Sequence, residues 1–308
     1  MQHHFHFHLH HHARHHARYD VDMTQGSTTR HLINFALPLL AGNLFQQLYN
    51  MVDTWVVGNF VSNEAFSAVG TVTPIINTLI GFFLGMSSGA GVVISQYYGA
   101  HRPEKVHEAV HTAMLLTIVM GVVFTGVGIA MTPLMLELMK TPKDVLPLSS
   151  LYLRIYFLGI PGTIMHNFGA ALLRAFGDTK RPMLFLTVSG IVNACLNLFF
   201  VIVCGMSVDG VATATVISQY ISLFLVVRCL RRSEGLSHLE LKNIRLNREE
   251  SLRMIQIGLP AGLQSTLFSI ANVLVQSSVN SFGASVVAAN PAAASIEGFV
   301  RSLIATTS

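Results

Sequence analysis

The feature that most restricts how this chain can fold is a succession of long apolar segments that carry almost no charge. A helix needs about 20 predominantly apolar residues to cross a bilayer. Backbone groups in lipid must be hydrogen-bonded within the protein, and no segment alternates as barrel strands do. We therefore predict an all-α, polytopic membrane protein with eight spans: 33–57, 71–98, 108–131, 148–173, 183–204, 208–228, 254–280 and 284–305.

The charged residues give the orientation of these spans. Only 11% of residues are charged, mean hydropathy is +0.53 and the pI is 9.1, whereas soluble domains carry about 25% charged residues. Lys and Arg concentrate in alternate connections, which predicts a cytoplasmic N-terminus and cytoplasmic loops that face anionic lipid rather than nucleic acid. The basic residues on this side are Arg102, Lys105, Arg174, Lys180, Arg181, Arg228, Arg231, Arg232, Lys242, Arg245, Arg248 and Arg253.

The N-terminal residues 1–23 have a different composition, beginning MQHHFHFHLHHHARHHARYD. Imidazoles at this density can chelate a metal. A leader or a disordered arm accounts for the segment better, and we exclude it from the fold. We predict no metal site and no cofactor.

An internal repeat suggests how the spans are organised. At a constant offset of 222 residues the first span matches the seventh, which indicates a six-helix unit used twice. We predict an N-terminal six-helix bundle at 24–228, a basic cytoplasmic linker at 229–253 and the first two helices of a C-terminal bundle at 254–308. Two bundles of six would need more helices than this sequence holds, so we expect a fragment. The matching pairs are Leu37-Pro38 with Leu259-Pro260, Asn50 with Asn272, Val57 with Val279 and Phe60 with Phe282.

A polar face on the first span contains a carboxylate. Asn43, Gln46, Asn50 and Asp53 are spaced three, four and three, so a helix places them on one side. Amides commonly join membrane helices by hydrogen bonds. An ionised Asp at the bilayer centre costs about 2.5–3.5 kcal/mol, and Ser or Asn would join helices equally well. A functional role for Asp53 is therefore the better interpretation.

The fifth span has a similar face. Ser189, Asn193 and Asn197 are spaced four and four, and Asn197 lies at nearly the same depth as Asp53 when both helices run in the same direction. We predict one polar pocket in the outer half of the first bundle. Its members are Gln46, Asn50, Asp53, Asn193 and Asn197.

Five stretches together resemble the MATE family of multidrug and toxic compound exporters, in its bacterial DinF-like branch. The resemblance runs from about residue 24 to the end. It implies twelve helices in two bundles, a multi-pass monomer of the bacterial inner membrane when full length, and export of small organic, often cationic, compounds by antiport with H⁺ or Na⁺. The stretches are LPLLAGNLFQQLYNMVDTWVVG (37–58), GMSSGAGVVISQYYGAHRPEKV (85–106), LLRAFGDTKRPM (172–183), DGVATATVISQ (209–219) and IGLPAGLQSTLFSIANVLVQSSVNSFG (257–283).

The resemblance also implies roles for the predicted pocket. Asp53 occupies the position of a cation-coupling residue, and Gln46, Asn193 and Asn197 lie at positions that resemble the rest of that polar cluster. Some relatives have a second Asp on the fifth span, where this sequence has Asn197. The pocket then holds one carboxylate, and the choice between H⁺ and Na⁺ stays open.

In the second bundle we expect substrate binding rather than coupling. At the repeat offset Val275 replaces Asp53, which leaves an uncharged polar face that includes Asn272 and Gln276. Glu297 in the eighth span either binds a cationic substrate or pairs with Arg301 one turn away. The predicted substrate-binding residues are Glu297, Asn272 and Gln276.

Other classes of protein are less compatible with the sequence. No Walker motif or catalytic constellation is present, so we predict that the chain is not an enzyme. A lipid-linked oligosaccharide flippase of the same superfamily and a non-transporting structural subunit are the alternatives. We assign Gly81, Gly85 and Gly89, which recur every four residues on the second span, to close helix packing.

Overall fold

A computed structural model describes residue 33 and the ranges 36–42, 44–45, 56, 58–139, 141–233, 238–239 and 245–281, with side chains to Asn272 in the last helix. The regular structure of these residues is helical, which confirms the all-α prediction, and within the first predicted span residues 33, 36–42, 44–45 and 56 are helical. The helices that match the second to seventh spans are α1 (Asn63–Gly99), α2 (Pro103–Leu138), α3 (Leu146–Ala175), α4 (Lys180–Leu198), α5 (Val208–Arg232) and α6 (Arg248–Ser281).

The helices extend beyond the predicted apolar spans. α1 begins eight residues before its predicted span, because the Ser62 hydroxyl accepts a hydrogen bond from the Ala65 N–H at 3.2 Å and caps the helix. α2 begins at Pro103, whose missing N–H is tolerated in a first turn. In the described part of the chain five helices, α1 to α5, are long and apolar enough to cross a membrane, α4 being counted with the turn after it.

Helix α3 lies at the centre of the packing. It contacts α1, α2 and α5 extensively, and Phe157, Phe168 and Leu172 on it are fully buried. Helix α2 instead leaves large apolar side chains such as Val122 and Val127 more than half exposed. In water that surface would be unfavourable, so it fits a lipid-facing position.

The most extensive helix contact joins α1 to α6 and is built on glycines. A Cβ at Gly85 would overlap the Gly262 backbone, and a Cβ at Gly89 would overlap Met254 and Gly258. In the opposite direction, a Cβ at Gly258 would lie 2.7 Å from the Met86 carbonyl oxygen. The predicted close-packing face is confirmed, and its partner is a matching glycine pair on α6.

Candidate functional site

A buried polar cluster joins α4 to α5. Ser189 Oγ donates to the Ser218 carbonyl oxygen at 2.7 Å. Asn193 Nδ2 donates to Thr215 Oγ1 and to Ser218 Oγ, both at 3.3 Å. Asn197 Nδ2 donates to Asn193 Oδ1 at 3.2 Å. The shared face predicted for Ser189, Asn193 and Asn197 is therefore observed, and it packs against hydroxyl groups of α5.

This cluster lies within two predominantly apolar helices. Asn197 is 0% exposed and Asn193 is 3% exposed. Buried amides and hydroxyls are costly unless hydrogen-bonded, and here they bond to one another along the two helices. The arrangement places amide and hydroxyl oxygens together, and such oxygens are suitable partners for a hard cation or for a protonated carboxyl group.

Two residues after Asn197, the regular α-helix gives way to one π-helical turn, Phe199–Val203. The Cys204 N–H donates to the Phe199 carbonyl oxygen, which closes the wider ring. Such turns concentrate at functional sites because they interrupt the regular ladder of hydrogen bonds. No residue in this segment signals the change from α to π, and sequence reasoning missed it.

The polar contacts of α5 continue toward its other end and reach α3. Ser222 Oγ lies 2.7 Å from His166 Nδ1. Glycines at 159 and 162 let α3 approach Gln219, since a Cβ at Gly162 would lie 2.8 Å from the Gln219 backbone. We did not single out these residues from the sequence, although Ser218 and Ser222 are one helical turn apart and Gln219 ends one of the motifs quoted above.

Several predicted site residues lie outside the described residues. These are Gln46, Asn50 and Asp53 of the coupling pocket, and Glu297 with its alternative partner Arg301. Asn272 is exposed near the end of the described side chains, and Gln276 lies within α6 beyond them. The structure therefore brings together Asn193 and Asn197, and the remaining assignments stay predictions.

A separate cluster, which is charged, lies where α1 ends and where α2 and α6 begin. Glu250 is fully buried. Its Oε1 accepts a hydrogen bond from Tyr97 Oη at 3.1 Å and lies 3.5 Å from Lys105 Nζ. Arg253 donates to the same Tyr97 oxygen at 2.7 Å. Asn247 caps α6 by accepting the Glu249 and Glu250 N–H groups at 3.0 and 3.4 Å.

Helix α6 therefore begins inside the segment 229–253 that we assigned to a linker. Asn247 followed by two acidic residues is a helix-start pattern that would have located this boundary. The burial of Glu250 had no comparable signal, because it depends on three helix ends meeting.

Comparisons with known proteins identify the family. The MatE family model matches residues 38–199. The probable multidrug resistance protein YpnP of Bacillus subtilis is 30% identical over 270 residues, covering 86% of this chain and 59% of the relative. This chain thus spans about three-fifths of that relative's length.

Solved structures show the same fold. A multidrug resistance MATE family transporter in an outward-facing conformation is 26% identical, with a TM-score of 0.74 over 82% of this chain and 56% of the other. A MATE structure in complex with MaD3S is 24% identical, with a TM-score of 0.86 over 94% of this chain and 65% of the other. The family model covers just over half of the sequence, and the motifs, the helices and these structures agree with it: the chain belongs to the MatE family of transporters.

Proposed function

We propose that this chain forms the coupling bundle of a secondary transporter that exports small organic, mainly cationic, compounds in exchange for H⁺ or Na⁺. The observation that carries the proposal is the buried polar cluster of α4 and α5. A chain of amides and hydroxyls inside membrane-spanning helices is costly to build, and polar residues at such positions can line a path for ions or substrates. The relatives named for multidrug resistance support export as the direction.

In this proposal the polar cluster of α4 and α5 supplies uncharged oxygen ligands for the coupling ion, and Asp53 supplies the negative charge. Amide oxygens of Asn193 and Asn197 suit Na⁺, which prefers hard oxygen ligands, and the same amides can hydrogen-bond a protonated carboxyl group. In this proposal Asp53 either takes up the coupling proton or holds Na⁺ together with these amides. The transporter needs no other cofactor for this exchange.

In this proposal, transport of the cation and of the organic substrate is coupled because the two ligands differ in their affinity for the arrangements of the cluster. Asn197 bonds to Asn193, which in turn bonds to Thr215 and Ser218, so a cation that recruits one amide changes the partners of the next. If the cation and the organic substrate favour different arrangements of this cluster, entry of one promotes release of the other.

The charge distribution supports a cytoplasmic position for the end of the bundle that carries the turns α1–α2 and α3–α4 and the segment between α5 and α6. Basic residues concentrate at these connections, and the positive-inside rule places such connections on the cytoplasmic side. We propose a multi-pass protein of the bacterial inner membrane with a cytoplasmic N-terminus, which is a monomer at full length.

The experiment is efflux of ethidium from cells that express the full-length protein, with proton and Na⁺ gradients collapsed separately. We expect efflux to stop when one gradient is collapsed, and we expect Asp53→Asn to abolish gradient-dependent efflux. The matched control is Asp144→Asn, the same change on an exposed turn. Efflux from Asp53→Asn at the wild-type rate, with the same ion dependence, would refute the assignment of Asp53. No efflux from a well-expressed wild type would favour the flippase or the structural subunit.

A further inference from the structure

A cleft that is apolar inside and basic at its rim lies at one end of the bundle, between the helical residues 36–42 and helices α4 and α5. Its volume is about 740 Å³, within the range of about 300–1,000 Å³ that is usual for ligand sites. The walls are formed by Leu37, Pro38, Ala41, Met183, Leu184, Phe185 and Leu225, and the rim by Lys180, Arg181, Arg228 and Arg232, with Cys229 beside them.

Three of the four rim cations have no acidic partner in the part of the chain that the structure describes. Arg181 pairs with the buried carboxylate of Asp178, with 3.1 Å between Arg181 Nε and Asp178 Oδ2. Lys180, Arg228 and Arg232 are exposed and form no ion pair with a described residue. The rim therefore carries an excess of about three positive charges.

The walls restrict what these charges can bind. Leu37 and Leu184 are 65% and 57% exposed, so the cleft presents open apolar surface next to the cations. A small soluble anion would satisfy the charges but would not fill the apolar cleft, which opens between membrane-spanning helices. An amphiphile with an anionic head and an acyl chain satisfies both, since basic pockets between membrane helices hold anionic headgroups.

We propose that this cleft is a binding site for an anionic phospholipid, with the phosphate diester held by Lys180, Arg228 and Arg232 and an acyl chain lying along Leu37, Leu184 and Leu225. The site is separate from the polar cluster in which Asn193 and Asn197 lie. It does not depend on the proposed export activity.

The test measures lipid retention by the 308-residue chain. The protein is purified from an equimolar mixture of phosphatidylglycerol and phosphatidylcholine, and retained lipids are counted by native mass spectrometry. We expect wild type to retain phosphatidylglycerol preferentially. Replacing Lys180, Arg228 and Arg232 with Gln should lower the preference by about fivefold per cation, or about a hundredfold in total.

A matched triple variant controls for charge alone. Arg102, Arg245 and Arg248 are exposed, lie at the same end of the helices and do not line the cleft. Replacing them with Gln changes the net charge equally, and we expect the preference to persist. If the two triple variants lose the preference for phosphatidylglycerol equally, the proposed site is wrong. Equal retention of both lipids by wild type would also refute it.

A third variant tests the apolar wall. Ala41→Trp fills the cleft and keeps every cation, so we expect it to lose phosphatidylglycerol as the rim variant does. Unchanged retention would refute the acyl-chain part of the proposal. Helix content by circular dichroism and elution volume confirm that each variant folds. Where the triple rim variant does not fold, the single Arg228→Gln change should still lower the preference about fivefold, and no change there would count against the site.

Discussion

Replacement of Glu250 by Gln tests whether the buried charge cluster fixes α6 to α1 and α2. The side chain is 0% exposed, and its carboxylate accepts a hydrogen bond from Tyr97 and pairs with Lys105. Gln keeps the shape and one oxygen but removes the charge. A hydrogen bond to a charged group contributes about 1.5–3 kcal/mol. We therefore expect the free energy of unfolding to fall by about 2 kcal/mol.

The loss should stay below the 3–5 kcal/mol that follows when a buried partner is left alone. Lys105 keeps a second partner, because its Nζ lies 2.9 Å from Glu108 Oε2. Tyr97 keeps the hydrogen bond that Arg253 donates to its oxygen. Removing the Glu250 charge therefore leaves neither Lys105 nor Tyr97 without a partner.

The assay is equilibrium unfolding by SDS in mixed micelles, followed by circular dichroism. The control is Glu249→Gln, the same change one residue earlier, where the side chain is 61% exposed and pairs with Arg253 at 2.9 Å. An exposed pair of this kind contributes about 0.5 kcal/mol. If the two variants lose equal stability, the reasoning about burial at Glu250 is wrong.

Three further substitutions should each lower the free energy of unfolding in the same assay. Gly85→Ala places a Cβ against the Gly262 backbone and should destabilise by about 1–3 kcal/mol, whereas Gly126→Ala, with nothing within 4 Å, should be neutral or slightly stabilising. Asn193→Leu removes both side-chain bonds to α5 and should cost about 1–2 kcal/mol, and a neutral result would contradict a structural contribution from the cluster. Asp178→Ala removes the oxygen that accepts the N–H groups of residues 180 and 181 at the start of α4 and should cost about 1–2 kcal/mol, against no change for Asp144→Ala.

Much of the fold could be predicted from the sequence because a bilayer permits few backbone structures. Apolar segments of this length must be helical in lipid, so α1 to α6 appear where the second to seventh spans were predicted. The helix starts did not follow from hydropathy, since α1 and α6 begin outside the apolar core, at the caps Ser62 and Asn247.

The site was predictable only along single helices. Spacing of four placed Ser189, Asn193 and Asn197 on one face because α-helices have 3.6 residues per turn. Their partners Thr215 and Ser218 depend on which helices pack together, and no local pattern encodes that. For the same reason the contact of Glu250 with Tyr97 could not be predicted, since these residues are 153 positions apart and meet only when α6 packs against α1.

The most direct test of the account is the affinity of the purified full-length protein for tetraphenylphosphonium, measured across pH and Na⁺ concentration. Antiport through the predicted pocket requires the Kd for the organic cation to rise as the concentration of the coupling ion rises, and requires Asp53→Asn to remove that dependence. A wild-type Kd that is the same at every pH and Na⁺ concentration would contradict coupling at this site.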